Sequence, residues 1–306
     1  MRFLGGTFYT LPAILQTYVF QTLYHTINTI DNKKIPFDPY ATLSETVDHH
    51  INGSGPRIVA LSIEQRPDCI NKSVLDKHNE AMVIFVEMGM QSTDDDVLKF
   101  NNRGHGVKDS EKAMWWCKQA GFKTMIHAMP DLPSSSPEID LKCFEDTLVK
   151  PVSQSLLHRF ARFILGFITI FFHGELVLRL CSHFSYCVVP LFHRADHIKL
   201  YPTLNLPYTQ ISKWGKDKWD SYTEKEGGAI LLRVCSEIVA KIPPWMRPAR
   251  IQRDMPKASE KNGGLGFTSD VVRTDLGDLI TRQLKQQHIY PQDIKSREPR
   301  KRCMYG

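Results

Sequence analysis

The sequence has few cysteines, and none of them lies in a spacing typical of a metal site or of a disulfide framework. Seven cysteines are spread over 306 residues. No two of them form a C-x-x-C pair, and no pair of histidines completes a zinc-binding spacing. An odd number of cysteines in a chain of this size argues against a disulfide framework. We therefore expect a protein of a reducing compartment.

The sequence also lacks a secretory leader and a long apolar run. The region from Phe3 to Phe20 has neither the basic start nor the small-residue cleavage site of a signal peptide. The most apolar run, from Phe163 to Phe172, is shorter than the ~20 residues that cross a bilayer. Polar residues at His173, Glu175 and Arg179 interrupt its extension. We therefore expect no secretory signal and no firm membrane association.

A strong charge of one sign is absent as well. The net charge is +6, and the isoelectric point is about 8.9. Apolar residues make up 42% of the chain and charged residues 24%, which is typical of a globular protein. This mild positive charge is compatible with a polyanionic partner such as RNA, but it does not by itself indicate one.

What the sequence does contain is a repeated alternation of apolar runs and helix-like stretches. The predicted strands are Ile58–Ile63, Met82–Ser92, Phe122–Pro133, His197–Leu204 and a fifth strand in the segment ARIQRDMP. A helical stretch such as SEKAMWWCKQAG, closed by Gly121, lies between two of them. This alternation indicates an α/β fold with a parallel sheet covered by helices. In an incomplete (β/α) barrel of this kind, the strand ends meet at one mouth.

The stretch FLGGTFYTLP suggests a missing strand. A Gly-Gly-Thr turn followed by an amphipathic helix usually comes directly after a buried strand. Only Met1 and Arg2 precede this stretch. We therefore expect the strand that belongs to this turn to lie upstream of the chain.

Each of the four clearest predicted strands ends in polar or special residues. They are Glu64, Arg66 and Asp68; Glu87, Gln91 and Ser92; His127, Met129 and Asp131; and Lys199, Tyr201 and Thr203. Their repetition predicts one shared site, although helix caps and turn residues are the alternative, which stays open for Asp68 and Asp131. For Glu64, Glu87 and Gln91 a functional role is favoured, because burying a polar group without a partner inside a strand is costly.

Eight motifs occur in an order that resembles one enzyme family. They are GGTF, IEQRPD, VEMGMQS, NNRGHGV, HAMPDLP, IKLYPTL, PPWMRPARIQRDMP and IKSRE. The family is that of the catalytic subunit of the Elongator complex, which modifies the wobble uridine of tRNA. The resemblance covers Phe3 to about Leu148 and Asp196 to about Glu298. Gln65 is a departure, because the family usually has threonine at this position.

The resemblance implies a radical S-adenosylmethionine (SAM) domain, which is a partial (β/α) barrel, followed by a GNAT-type acetyltransferase domain. A four-iron four-sulfur cluster would cleave SAM to start radical chemistry, and acetyl-CoA would supply the carboxymethyl group placed on C5 of the wobble uridine. The implied partners are the anticodon region of tRNA and the other Elongator subunits. The implied location is the cytoplasm, with the nucleus as a second one.

The resemblance also assigns residues to these ligands. Those that would bind the cofactor are Gly5, Gly6, Thr7, Glu64, Arg66, Glu87, Gly89, Gln91, Ser92, His127 and Met129. Those that would contact tRNA are Arg103, His105, Lys199, Tyr201, Arg247, Arg250 and Arg253. No residue is assigned as catalytic, and no metal ligand is assigned, because the cysteines that bind the cluster in the family lie upstream of the Gly-Gly-Thr turn.

The expected domain organisation has three parts. Residues 1–150 form the first part of the radical SAM barrel, residues 151–194 an anomalous apolar insertion, and residues 195–306 the second part of the barrel and the start of a linker. The cluster loop is expected before Met1 and the acetyltransferase domain after Gly306, so the chain alone is expected to be inactive. The alternative to a fragment of the enzyme is a non-catalytic module that binds tRNA or an Elongator partner.

The insertion itself has two interpretations. It interrupts a place where the family runs directly from a helix into the strand at His197. A translated intron is favoured, because Val152–Ser153 and the sequence Leu-Phe-His-Arg before Ala195 can be encoded by splice-site sequences. The alternative is an inserted hairpin that associates with membranes, and in both cases we expect the segment to protrude from the barrel.

Overall fold

The computed structural model describes residues 1–3, 8–30, 37–38, 40–53, 55–149, 195–205, 209–214, 218–223, 225–252 and 275–299. Three groups of sequence predictions fall outside these ranges. They are the turn residues Gly5, Gly6 and Thr7, the apolar segment 151–194, and Arg253. Their predicted roles stay predictions.

The strands of the described residues form a parallel sheet in which spatial order follows chain order. They are β1 Arg2–Phe3, β2 Ser62–Gln65, β3 Phe85–Gln91, β4 Lys123–Ala128, β5 His197–Leu200 and β6 Arg247–Ile251. The order in the sheet is β1-β2-β3-β4-β5-β6. Parallel pairing joins β1 to β2, β2 to β3, and β5 to β6. The predicted α/β fold with a parallel sheet, including the fifth predicted strand, is confirmed.

Helices connect the successive strands, as parallel pairing requires. They are α1 Ala13–Asn28, α2 Leu43–Asn52, α3 Lys72–Glu80, α4 Asp95–Phe100, α5 Val107–Gln119, α6 Pro137–Val149, α7 Gln210–Lys213 and α8 Ala229–Ala240. One more helix, α9 Leu276–Gln286, follows β6. Side chains define several starts. Thr42 and Glu45 form a reciprocal capping box before α2, and the Asn71 side chain accepts from the Val74 backbone N–H before α3.

The strands read as continuous apolar runs because they are buried on both faces. Ile63, Val86, Ile126, Ile198 and Leu200 are all fully buried. This burial explains why consecutive residues, which point to opposite faces of the sheet, are all apolar instead of alternating with polar ones.

The start of the sheet differs from the sequence-based expectation in two ways. The strand before the Gly-Gly-Thr turn is present, because Arg2 and Phe3 pair with Ser62 and Ile63. The expectation that this strand lies wholly upstream was therefore wrong: two residues are enough to form the ladder. The second strand begins at Ser62 and not at Ile58, because pairing with both neighbours starts there and Val59 is 87% exposed.

The chain divides into two compact units. The first comprises Met1–Gly89 and Lys112–Met125, and the second comprises Met90–Glu111 and Ile126–Gly306. In the first unit, α1 buries Phe20 and Tyr24, and the Tyr24 hydroxyl donates to the Ala81 carbonyl oxygen at 2.8 Å. The predicted boundaries at residues 150 and 195 stay a prediction.

In the second unit, two amphipathic helices pack against each other. Helix α8 buries Leu231, Val234 and Ile238, and α9 buries Leu276, Ile280 and Leu284. The spacing of three to four residues in both helices places each apolar set on one face. No helix among the described ranges is long and apolar enough to cross a membrane.

Candidate functional site

The first unit carries two carboxylates side by side on neighbouring strands. Glu64 of β2 and Glu87 of β3 are partners in the parallel register, so their side chains leave the same face of the sheet. Glu87 is fully buried and accepts a hydrogen bond from the Ser62 hydroxyl, while the Arg2 Nε atom lies 3.7 Å from its Oε1 atom. These contacts offset the cost of burying a carboxylate. Glu64 is only half-buried, so it keeps access to a ligand.

Arg66 and Asp68 form an exposed pair directly after β2. The Arg66 Nε and terminal nitrogen atoms donate to the two Asp68 carboxylate oxygens at 2.9 and 2.5 Å. The hydrogen bond with Asp68 raises the pKa of Arg66 above its ordinary value. Asp68 lies in the short 3-10 turn Pro67–Cys69, so this aspartate orients Arg66 at the end of the strand.

In the second unit, backbone hydrogen bonds bring the carboxyl ends of the strands together. The Met129 N–H donates to the Gln91 carbonyl oxygen at 2.9 Å, and the Tyr201 N–H donates to the Ala128 carbonyl oxygen at 2.9 Å. The Thr203 N–H donates to the Pro130 carbonyl oxygen at 2.8 Å. These bonds make the predicted residues at the ends of β3, β4 and β5 neighbours at one edge of the sheet.

Polar side chains at the end of β3 are buried in the second unit. Gln91 has a positive φ of 71° and is 8% exposed. Its Oε1 atom is buried and has no hydrogen-bond partner among the described residues. Ser92 is also buried, and its hydroxyl accepts from the Asp94 N–H at 3.2 Å. Gly89 is buried in the strand. Gln91 is therefore the residue of this group with unused hydrogen-bonding capacity.

The ends of β4 and β5 carry an aromatic and cationic group. The rings of His127 and Tyr201 meet edge to face with centroids 5.6 Å apart. The Lys199 ammonium lies 5.9 Å from the centroid of the Tyr201 ring, within the range of a cation–π contact. His127 and Lys199 are buried, whereas Tyr201 and Met129 are half-buried. Part of the Tyr201 side chain thus stays exposed beside His127 and Lys199.

The loop between α4 and α5 holds Arg103 and His105. The His105 Nδ1 atom lies 3.2 Å from the Arg103 carbonyl oxygen, and its Nε2 atom lies 3.3 Å from the Met90 carbonyl oxygen. Both ring nitrogens thus face backbone oxygens, and the residue is only 8% exposed. This geometry favours a role in anchoring the loop to β3, and the predicted contacts of Arg103 and His105 with tRNA stay predictions.

The arginines of β6 differ in their surroundings. Arg247 forms a bidentate pair with Glu298, with Nε and a terminal nitrogen donating at 3.2 and 3.0 Å. Arg250 is exposed. The predicted contacts of Arg247 and Arg250 with tRNA stay predictions.

A buried polar cluster was missed by the sequence analysis except for Asp131. The Asp131 carboxylate accepts from the Ser221 hydroxyl at 2.5 Å and from the Tyr222 and Thr223 N–H groups at 3.2 and 2.9 Å. Its own N–H donates to Asp140 Oδ2 at 2.7 Å. Asp131 thereby fastens the segment 219–223 to the turn after β4. The sequence gives no signal for this contact, since the partners lie about 90 residues apart.

Asp140 completes the cluster. It accepts from the Ser135 hydroxyl and the Tyr222 hydroxyl, both at 2.6 Å. Burial raises the pKa of Asp140 to about 6, although hydrogen bonds from Asp131, Ser135 and Tyr222 act in the opposite direction. Burial also raises the pKa of Asp131 and of Tyr222. Asp131 and Asp140 thus link the segment 219–223 to the turn after β4, and we call this linkage the clasp. Asp140 is its titratable group.

The described residues do not fit a four-iron cluster. Within the described ranges, no group of three histidines, cysteines or acidic residues lies close enough together to hold a metal ion. The seven cysteines of the sequence also lack the close spacing of cluster ligands. Glu64 of the first unit and Gln91 of the second both carry hydrogen-bond acceptors, and the Gln91 Oε1 atom has no partner among the described residues. Their predicted contacts with SAM stay predictions.

Comparison with known proteins agrees with this fold. The pattern of the radical SAM superfamily matches residues 14–140. The tRNA uridine(34) acetyltransferase of Methanocaldococcus infernus is 26% identical over 296 residues, which is 96% of this chain and 44% of the relative. Elongator complex protein 3 of Homo sapiens is 28% identical over 300 residues, which is 96% of this chain and 43% of the relative. The chain thus spans less than half the length of these relatives.

A solved structure supports the same architecture. The archaeal Methanocaldococcus infernus Elp3 with an N-terminal deletion matches with a TM-score of 0.73 at 24% identity, over 97% of this chain and 56% of that one. This likeness confirms the predicted incomplete radical-SAM-type barrel. Residues 14–140 thus match the radical SAM superfamily, and the chain is similar in sequence to Elp3 and to tRNA uridine(34) acetyltransferases.

Proposed function

We propose that this chain is the radical SAM part of an enzyme that modifies the wobble uridine of tRNA, and that its residues bind SAM and the anticodon region. The observation that carries the proposal is the set of polar side chains at the carboxyl ends of the parallel strands, in a chain homologous to tRNA uridine(34) acetyltransferases. Ligands of parallel α/β folds bind at these ends.

Among the residues proposed to bind SAM, those of the first unit are Glu64, Arg66 and Glu87, and Gly5, Gly6 and Thr7 lie outside the described ranges. In the second unit they are Gln91, Ser92, His127 and Met129. Carboxylate and carboxamide oxygens accept hydrogen bonds from ribose hydroxyls and from the ammonium of SAM. In radical SAM enzymes the cluster supplies the electron that cleaves SAM, but no cluster ligand is assigned to this chain.

The partners follow from the homologues and from the charge. The net charge of +6 and the exposed Arg250 suit a polyanion. We include tRNA, acetyl-CoA and other Elongator subunits among the ligands of the complete enzyme, in the cytoplasm or the nucleus. None of the described residues is assigned to acetyl-CoA.

The alternative is a module that binds the same ligands but does not catalyse the reaction. The lack of closely spaced cysteines in the 306 residues favours it. Both functions predict binding of SAM and tRNA. They differ when a protein extended upstream to include the expected cluster loop is reconstituted anaerobically with iron and sulfide, because only an enzyme would then cleave SAM.

Glu64→Gln is expected to lower the affinity for SAM about tenfold, since a hydrogen bond to a charged acceptor contributes about 1.5–3 kcal/mol. The measurement is equilibrium dialysis of labelled SAM against the full chain. Glu80→Gln, the same change at the exposed end of α3, is the matched control and should leave the affinity unchanged. Equal affinities for the Glu64→Gln variant and the wild type would contradict this binding site. Failure of the wild type to bind SAM would contradict the proposed function.

The full chain is expected to bind an anticodon stem–loop more tightly than a hairpin of equal length from the acceptor arm. Arg250→Ala should weaken both complexes, because one phosphate contact is lost. The slope of log affinity against log salt concentration should also become less steep by about one. Fluorescence anisotropy at several salt concentrations measures both effects. Arg282→Ala on the exposed face of α9 is the control. Equal affinity for the two hairpins argues against recognition of the anticodon region.

A further inference from the structure

Gln252, directly after β6, is a buried polar residue whose side chain makes no hydrogen bond to the described residues. It is 3% exposed. Both its carboxamide nitrogen and its carboxamide oxygen are buried, and neither has a hydrogen-bond partner in the part of the chain that the structure describes. Buried polar groups in native proteins nearly always have partners, so a carboxamide with two unused atoms needs an explanation. A ligand that supplies both partners is one.

The backbone at Gln252 supports this interpretation. Its φ is 63°, in the left-handed region that residues other than glycine rarely adopt. Side chains held in that region tend to occur at functional sites, where surrounding contacts impose the conformation. The contact here is the Gln252 N–H, which donates to the Leu200 carbonyl oxygen at 2.7 Å. The residue is therefore fixed at the end of the strand.

Gln252 lies next to the aromatic group of β5. Leu200 pairs with Ile251 in the parallel register, so Tyr201 and Gln252 are the next residues along the two strands. Thr203, two residues further on, also has a buried hydroxyl without a partner among the described residues. This edge of the second unit thus combines a half-buried aromatic ring with two side chains that have unused hydrogen-bonding atoms.

The chemistry of the carboxamide identifies a class of ligand. A glutamine side chain presents one donor and one acceptor side by side in a plane. The complementary group presents an acceptor and a donor at the same spacing, as O4 and N3–H of uracil do. An aromatic ring beside such a pair gives the base a surface to stack on, which is how proteins hold unpaired bases of RNA.

We infer that Gln252 forms paired hydrogen bonds with the O4 and N3–H edge of the target uracil, with the Tyr201 ring beside the base. This inference rests on the proposed function and adds a residue that recognises the substrate. The carboxamide can turn over and offer the same atoms in reverse order to cytosine. Gln252 therefore recognises a base edge, and it does not separate uridine from cytidine.

The test compares two labelled RNA heptamers, one with a central uridine and one with a central 3-methyluridine, by fluorescence anisotropy with the full chain. The methyl group removes the N3–H donor, so it should lower the affinity of the wild type about tenfold. In Gln252→Met the uridine RNA should bind about as weakly as the methylated RNA, and the difference between them should disappear. Gln286→Met, at an exposed position of α9, should keep the difference.

A stability measurement separates this role from a structural one. Gln252→Met removes from a buried position two polar atoms that have no partner among the described residues, so its melting temperature should equal or exceed that of the wild type while its RNA affinity falls. A melting temperature well below that of the wild type would overturn the inference. So would a Gln252→Met variant with lower SAM affinity and unchanged RNA affinity, because the base recognised would then be adenine.

The inference and the proposed function fail in different ways. If the wild type binds both RNAs equally well, the inference is wrong and the proposed function stands. If the wild type binds neither RNA, both are wrong.

Discussion

Asp131→Ala is expected to lower the free energy of unfolding by about 3–5 kcal/mol, because it leaves buried donors without an acceptor. The Tyr222 and Thr223 N–H groups both donate to this carboxylate. Alanine also fits poorly at a φ of 65°, which costs about 1–2 kcal/mol. Urea denaturation of the full chain, followed by tryptophan fluorescence, measures the change. Trp219 is a local probe, since its indole N–H donates to the Asp131 carbonyl oxygen at 3.1 Å.

Two control variants separate the causes of this loss. Asp131→Asn keeps an acceptor oxygen and tolerates the left-handed backbone, so it should lose about 1–2 kcal/mol. Asp220→Ala removes an aspartate from the same loop, but its side chain is 64% exposed and pairs with Lys225 at the surface. It should cost less than about 1 kcal/mol. A loss for Asp131→Ala no larger than that for Asp220→Ala would show that the clasp contributes little to stability.

The stability of the chain is expected to fall between about pH 4 and pH 7 through the titration of Asp140. Burial raises the pKa of Asp140 in the folded state from 3.8 to about 6. Between these values the folded chain holds a proton that the unfolded chain has released, so this contribution is complete below pH 3.8 and is lost as the pH rises through 6. At 1.36 kcal/mol for each pKa unit, the loss amounts to about 3 kcal/mol.

Asp140→Asn should remove this part of the pH dependence. Urea denaturation from pH 4 to pH 7.5 should show the wild type losing about 3 kcal/mol more than the variant. Asp131 also has a raised pKa and interacts with Asp140, so the difference between the two profiles measures Asp140 together with its coupling to Asp131. Glu138→Gln, on the same helix, is the control. The pKa of Glu138 is lowered by backbone and Ser136 hydrogen bonds, so its removal should act weakly and in the opposite sense. Parallel pH profiles for the wild type and Asp140→Asn would disprove the assignment.

The sequence predicted the fold well where a single physical signal dominated. Continuous apolar runs around Ile63, Val86, Ile126 and Ile198 required strands buried on both faces, and these strands are present. The exact ends were predicted less well. Strand β4 ends at Ala128, five residues before the predicted end at Pro133, because Asp131 turns the chain with a positive φ.

The candidate site was predictable only in part. Glu87 and Gln91 could be singled out because a polar residue inside an apolar strand is unusual, and both are buried. Asp140 and Ser221 could not, since their roles depend on contacts between segments more than 80 residues apart. Gln252 was overlooked between two arginines, because nothing in its sequence surroundings shows that both its polar atoms are buried.

The strand order also determines how this protein can form during synthesis on the ribosome. Each strand of the sheet adds next to the one made just before it, from β1 to β6. No early strand has to wait for a late one to become its neighbour, so the sheet can grow as the chain emerges. Pairing between segments close in sequence also speeds folding, because less loop entropy is lost before contacts form. An interruption of translation after β4 would thus leave a smaller sheet whose pairings are already those of the finished protein.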